Sequence, residues 1–331
     1  MSALAVPGWA RAVLRVVRLV AILLIVASLC FLSMQLLPGD PARQILGPTN
    51  ATPEAVAELR HQLGLDRPLG ARFADWVGGV LQGDLGSSYR TGQSVTDIIA
   101  ERVPVTVELV VFSQLIALAL AVPAAIAAAT RRRTGVDRGI SLWVFTTLSM
   151  PNFVIGVLLI WVLSVSLGWL PSNGYTPWSE DPARHLASMI MPSIALAAAP
   201  FALYQRVLRA DLVETLSRDF MAVARAKGVS PARIIVRHAL RPSLLGLSTS
   251  VGVTVGTLIG STVVVESLFG LPGLGAELVS AVQGRDYVEV QGIVLVIAVA
   301  FVLINRLVDV LYGVLDPRLG PAGTPAAGGA G

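Results

Sequence analysis

Charge is scarce in this chain. Only 14% of its residues are charged and 54% are hydrophobic, a balance that excludes an ordinary water-soluble domain. Cysteine is almost absent. With Cys30 alone, no internal disulfide can form and no cysteine cluster can hold a metal. His61, His185 and His238 stand far apart and show no ligand spacing. Lysine occurs once, at Lys227, and no GxxxxGKS or GxxxxGKT run exists, so the chain carries no phosphate-binding loop of that kind. The glycine-rich GLPGLG at Gly270 to Gly275 lacks the lysine and reads as a turn shaped by Pro and Gly. No acid, base and nucleophile cluster together, so the chain reads as non-catalytic, with no cofactor and no metal of its own.

What is present is long apolar runs. Arg11, Arg15 and Arg18 precede the first, Leu19 to Leu37, which is too long for a signal-peptide core and has no A-x-A site after it. It reads as a retained membrane span. Five more follow: Val107 to Thr130, Ile140 to Leu170, Met189 to Leu208, Leu244 to Leu268 and Val288 to Tyr312. Each can cross the hydrocarbon core as a helix, and none shows the period-two alternation of a barrel strand. The expected fold is an all-α membrane protein with six transmembrane helices. Glu108, Glu266, Arg306 and Asp309 lie near span ends, away from the bilayer centre, where a charge costs about 2.5–3.5 kcal/mol.

Loop charge sets the orientation. Segment 131–138 carries four Arg against Asp137, and segment 206–241 carries eight Lys or Arg against Asp211, Glu214 and Asp219. The alternate loops, 37–103, 169–187 and 266–289, are each net acidic. The positive-inside rule therefore expects both termini and the 206–241 loop in the cytoplasm.

Residues 1–106 read as a first span followed by an external cap. In TPEAVAELRHQLGL, Thr52 is placed to cap a helix with Pro53 at its first position. GDLGSSYRTGQSV at Gly83 to Val95 has no periodicity. Residues 107–315 read as the membrane core, and the low-complexity tail 316–331 reads as disordered. Within the core, Pro151 and Asn152 interrupt the third span. They mark either a locally relieved kink or a polar contact for a substrate. Gly252, Gly256 and Gly260 form a small-residue stripe on the fifth span. It suits either tight packing within the subunit or a subunit interface beside a pathway.

The segment DFMAVARAKGVSPARIIVRHALRP, Asp219 to Pro242, carries the most information. Phe220 to Lys227 reads as a short helix that Gly228 ends. Ser230 is placed to cap a second helix, Pro231 to Leu240, with Pro231 at its first position. Two basic helices joined by a glycine also suit a DNA reader. The position between two spans excludes that, and no nucleic-acid partner is expected.

This loop resembles that of the inner-membrane permeases of bacterial ATP-binding-cassette peptide importers, the dipeptide/oligopeptide B branch. Ala222, Val223 and Ala224 occupy the EAA positions of the family loop and Gly228 its glycine. Ala222 replaces the family's acid, Val223 replaces its first alanine, and Pro242 stands where that branch commonly has Asn. ARAKG at Ala224 to Gly228 and HALR at His238 to Arg241 match. LLPGDP at Leu36 to Pro41, LGLDRPL at Leu63 to Leu69, ESLFGLPGLG at Glu266 to Gly275, RDYVEVQG at Arg285 to Gly292 and VDVLYGVLDPRL at Val308 to Leu319 are also similar.

The resemblance implies a type I importer permease fold in the bacterial cytoplasmic membrane. It implies a homologous second permease, two ATPases that carry ATP and Mg, and an external substrate-binding protein. The ATPase-coupling residues would be Ala222, Val223, Ala224, Arg225, Ala226, Lys227, Gly228, Ser230, Pro231, His238 and Arg241. Gly270, Pro272, Gly273, Leu274 and Gly275 would face the binding protein. The implied cargo is di- or oligopeptide, with nickel or glutathione in the same machine as the alternative. An ion-coupled secondary carrier is the reading from a different class.

Overall fold

Long apolar stretches in lipid must satisfy their backbone internally, and helices do so without help from neighbours. The computed structural model describes residues 8–36 and 40–315, and no strand occurs among them. The expected disordered tail, 316–331, lies outside the described residues.

The helices, in order, are α1 (Gly8–Leu36), α2 (Pro41–Asn50), α3 (Pro53–Gln62), α4 (Leu69–Leu81), α5 (Val95–Thr130), α6 (Gly135–Ser149), α7 (Asn152–Ser166), α8 (Pro182–Leu216), α9 (Asp219–Ala226), α10 (Pro231–Phe269), α11 (Leu274–Gln283) and α12 (Tyr287–Leu315). Stretches of α5, α8, α10 and α12 are long and apolar enough to cross a membrane, and α6 with α7 makes a bent fifth candidate. The first helix holds the apolar stretch Val17–Leu32.

The interruption expected in the third span is a bend of 105° between α6 and α7. Pro151 has no N–H to donate and drives Met150 into extended geometry (φ −103°, ψ 127°). The helix α5 starts at Val95, upstream of the apolar run that begins at Val107.

The chain divides into two compact units. The first comprises residues 1–111, 156–192 and 259–302. Val95, Ile99, Leu274 and Ile293 form an apolar core there. Thr52 caps α3 as expected, its hydroxyl accepting from the Ala55 N–H at 3.2 Å. The helix α4, not read from the sequence, sets Phe73 edge-on against Phe31 with ring centroids 5.3 Å apart. The aperiodic GDLGSSYRTGQSV segment is an ordered turn. Ser88 Oγ and the Arg90 N–H both donate to Asp286 Oδ2, at 2.6 and 3.1 Å. Two stretches far apart in sequence therefore latch together.

The second unit comprises residues 112–155, 193–258 and 303–331. Ala117, Ala121 and Ala125 repeat every fourth position on α5 and pack with Ala197, Phe201, Ala202 and Tyr204 of α8. Small residues at that spacing let helices approach closely. The buried Tyr204 hydroxyl donates to Gln114 Oε1 at 2.7 Å. Trp143 of α6 packs on Phe201, with centroids 4.5 Å apart.

Candidate functional site

The basic segment after α8 folds as a helix–turn–helix held on the second unit by apolar anchors. Met221 is fully buried, and it joins Leu208, Leu212, Ile234 and Ala239 in one cluster, with Ala224 and Val229 packed against it. The opposite face of α9 is open. Phe220 is 48% exposed and Val223 54%, and Ala222, Arg225, Ala226 and Lys227 are exposed with them. Amphipathic spacing explains the division: Met221 and Ala224, three apart, face inward, and Phe220 and Val223, also three apart, face outward.

Gly228 sits just past the end of α9 with φ +74°. The Gly228 N–H donates to the Arg225 carbonyl at 3.0 Å and the Val229 N–H to the Ala224 carbonyl at 3.2 Å. This is a complete Schellman cap, and glycine adopts its left-handed geometry without strain. Arg225 also turns back on the chain, its Nη2 donating to the Leu216 carbonyl at the end of α8, 3.3 Å away. Lys227 stands exposed at the tip.

The second helix differs from the sequence reading. Pro231 takes its first position as expected, but Ser230 makes no side-chain cap, and only its carbonyl engages, accepting from the Ile234 N–H at 3.0 Å. Nor does the helix end near Leu240. A π-helical stretch, Ile234–Leu240, carries it into the long span, so Pro231–Phe269 runs on through Pro242. Pro inside an α-helix clashes with the carbonyl four residues back and lacks a donor, and a widened turn immediately before it relieves both. Arg241 is exposed and His238 half-buried on this helix. At the base of the loop, the buried Thr215 and Ser243 hydroxyls meet at 3.5 Å, tying α8 to α10.

A second support was not read from the sequence. Arg209 of α8 makes a bidentate pair with Asp137, 2.8 Å on each arm, and Asp137 also accepts the Arg133 N–H at 2.9 Å. The signal was present in principle, since Asp137 is the one acid among the arginines of 131–138.

The GLPGLG residues do not form an exposed face. Gly273, Leu274 and Gly275 are buried, Leu274 to 6% exposure, and only Gly270 is exposed, with Pro272 half-buried. Three of the five residues expected to face a binding protein are thus covered within the first unit. The cause is Glu266, a fully buried carboxylate that accepts from Thr106 Oγ1 at 2.7 Å and from the Gly275 and Ala276 N–H groups at 2.7 and 3.0 Å. Glu266 thus occupies the N-terminus of α11, where free N–H groups favour a negative charge. A Cβ on Gly275 would lie 2.5 Å from Val263 Cα, so the motif's glycine serves close approach.

The remaining site expectations separate. A Cβ on Gly252 would come within 2.5 Å of Val308 Cγ1, so Gly252 packs within the second unit, whereas Gly260 faces open space. Gly256 is buried, Pro151 exposed and Asn152 half-buried. In the first unit, His185 is sealed between Tyr175 and Trp178, its Nδ1 donating to the Thr176 carbonyl at 2.8 Å and its Nε2 2.7 Å from Glu108. Burial, and then the Glu108 carboxylate, push the Tyr175 phenol above its ordinary range.

The chain belongs to the family described as binding-protein-dependent transport system inner membrane components, matched over residues 121–321, with that family's N-terminal region matched over residues 11–110. It is 39% identical over 305 residues to a Brucella abortus protein named as a peptide transport system permease, covering 92% of this chain and 97% of that one. It is 42% identical over 306 residues to the glutathione transport system permease protein GsiC of Salmonella typhimurium, with 92% and 97% covered. An inward-facing structure of the MetNI methionine ABC transporter superposes with a TM-score of 0.55 at 20% identity, covering 66% of this chain and 96% of that one. That likeness shows the fold: an all-α type I importer permease.

Proposed function

We propose that this chain is one of two permease subunits of an ATP-driven, binding-protein-dependent importer of di- and oligopeptides. Its 206–241 loop lies in the cytoplasm, as do both termini, and each of two partner ATPases, which hold ATP and Mg, docks on one permease's loop. A substrate-binding protein delivers cargo from outside, into a pathway formed with a homologous second permease. Residues 1–106 supply the first span and external cap, and 107–315 the transport core.

The observation that carries this reading is the anchored α9. Its buried Met221 fixes it to α8 and α10, while Phe220, Val223 and Lys227 remain free for a partner. A push on the exposed face passes through Met221, Ile234 and Ala239 into helices that run on as spans. Switching of that kind needs a rigid element with two positions, and the Schellman cap and the Thr215–Ser243 tie supply the rigidity. The chain itself moves no electrons and breaks no bond. Its task is to bind the ATPases, transmit their closure and alternate the pathway.

Peptide is the first cargo because of the peptide-transport name of the Brucella relative, and glutathione, itself a modified tripeptide, is the second because of GsiC. Uptake of labelled dipeptide, oligopeptide, glutathione and nickel by a deletion strain carrying this chain and its partners decides among them. Dipeptide or oligopeptide uptake supports the proposal. Uptake of glutathione or nickel alone reassigns the cargo, and uptake that persists without any ATPase contradicts the coupling reading.

A further inference from the structure

Between α6 and the second half of α8, both within the second unit, lies a cavity of about 490 Å³. Resting on the inner-side placement of segment 206–241 proposed above, we propose that it is a binding site for one anionic phospholipid, with the headgroup at Gln205 and Arg206.

Gln205 is 1% exposed and lines the cavity, and its amide nitrogen donates to no partner among the described residues. Buried amide donors are ordinarily paired. A carboxamide nitrogen carries two hydrogens, so the site offers donors and awaits an acceptor from outside the chain. Arg206 lines the same cavity, with its guanidinium 6.0 Å from the centre of the Phe145 ring and no carboxylate in ion-pair reach among the described residues. Arg209 lines it too. Its pair with Asp137 uses Nε and Nη2, which neutralises its charge and holds the wall in place. The lining cation with no carboxylate partner among the described residues is therefore Arg206.

Apart from Ser141, the rest of the wall is apolar. Phe145 and Leu203 are exposed and Val207 is half-buried. A soluble anion has no use for such a wall, and an acyl chain does. Basic pockets between spans at the cytoplasmic side suit anionic lipid headgroups, and an arginine near a span end reaches the interface readily. The occupant that matches donors, charge and apolar wall together is a phospholipid whose headgroup is negative.

The test uses the whole importer, purified with its partner subunits and studied by native mass spectrometry in micelles of mixed phosphatidylglycerol and phosphatidylcholine. The wild type should retain phosphatidylglycerol selectively. Arg206→Gln should weaken that retention roughly fivefold, the loss expected for one interfacial cation. Gln205→Leu, close in volume, should weaken it as well. Glycerol phosphate should not displace the lipid, and displacement would make the site one for a soluble phosphate. Wild-type retention by both variants, each shown to co-purify with its partners, would overturn the proposal. So would a cross-link from Leu203→Cys to the second permease in place of lipid. Sidedness is read separately: Ser141→Cys should react with an impermeant maleimide only in inside-out vesicles. Labelling from the outer face would reject the orientation and leave the lipid result standing.

Discussion

Asp137 and Arg209, 72 positions apart, are joined by two parallel hydrogen bonds of 2.8 Å, and the same carboxylate gathers the Arg133 N–H. One acid thereby fixes the turn between α5 and α6 and the helix that leads to α9. Asp137→Asn removes the charge and half of the bidentate geometry. Loss of the hydrogen-bonded charge should destabilise the detergent-solubilised protein by on the order of 1–3 kcal/mol. A thermal melt of wild type, Asp137→Asn, Arg209→Gln and the double variant checks it. Additive losses would show that the pair carries no coupling energy.

Met221 and Phe220 are adjacent in sequence and opposite in role. Met221→Ala empties a fully buried site and should cost about 2–5 kcal/mol, with the loop loosened. Phe220→Ala trims an exposed ring and should leave stability within about 0.5 kcal/mol. Its effect should fall on ATPase association, by more than about 1 kcal/mol if the ring is an interface anchor. Melting curves and a pull-down of the ATPases on both variants give the two readouts. A Phe220→Ala protein that holds its ATPases at wild-type strength would place the docking face elsewhere.

Glu266 and Gly275 form the other support. Glu266→Gln replaces an acceptor facing three donors with an amide that accepts on one atom only. It should lower the melting temperature, as a buried donor left unpaired costs about 1–3 kcal/mol. Gly275→Ala forces a methyl against Val263 backbone and should cost a similar amount, about 1–3 kcal/mol. If both variants melt with wild type, the turn's glycines serve something other than packing on Glu266.

Much of the fold was legible because it is local. Apolar run length marked the spans, Thr52–Pro53 the start of α3, and Gly228 the end of α9. The kink at Pro151 was legible, but its size was not, since neighbouring helices decide how far a broken span swings. What the sequence hid is long-range. Glu266 reads as a stray charge until Thr106, 160 positions away, is seen donating to it. For the same reason GLPGLG looked like an exposed turn. Pro242 looked like a boundary because the π-helical turn that accommodates it leaves no mark in composition. The helix α4 was missed because its apolar residues are interleaved with three glycines.

The proposed orientation has its own test. Leu81 is 82% exposed at the end of α4, where Cys adds no backbone strain. Leu81→Cys should react with an impermeant maleimide on intact cells after removal of any outer barrier. Labelling only after the inner membrane is permeabilised would invert the topology.

The most direct measurement concerns Gly228. Its φ of +74° is strained for most other residues by about 1 kcal/mol or more, and less so for Asn and Asp. No atom lies within 4 Å of a Cβ built there, so a side chain would meet open space and leave the core alone. Gly228→Asp adds part of that strain, and a charge opposite to Lys227, to the exposed tip of the loop. The variant should insert and co-purify with its partner permease, while substrate-stimulated ATP hydrolysis and uptake in reconstituted vesicles fall at least tenfold, the effect of about 1.4 kcal/mol or more at the coupling step. Wild-type ATP hydrolysis and uptake by a normally inserted Gly228→Asp protein would contradict the assignment of this loop as the coupling element.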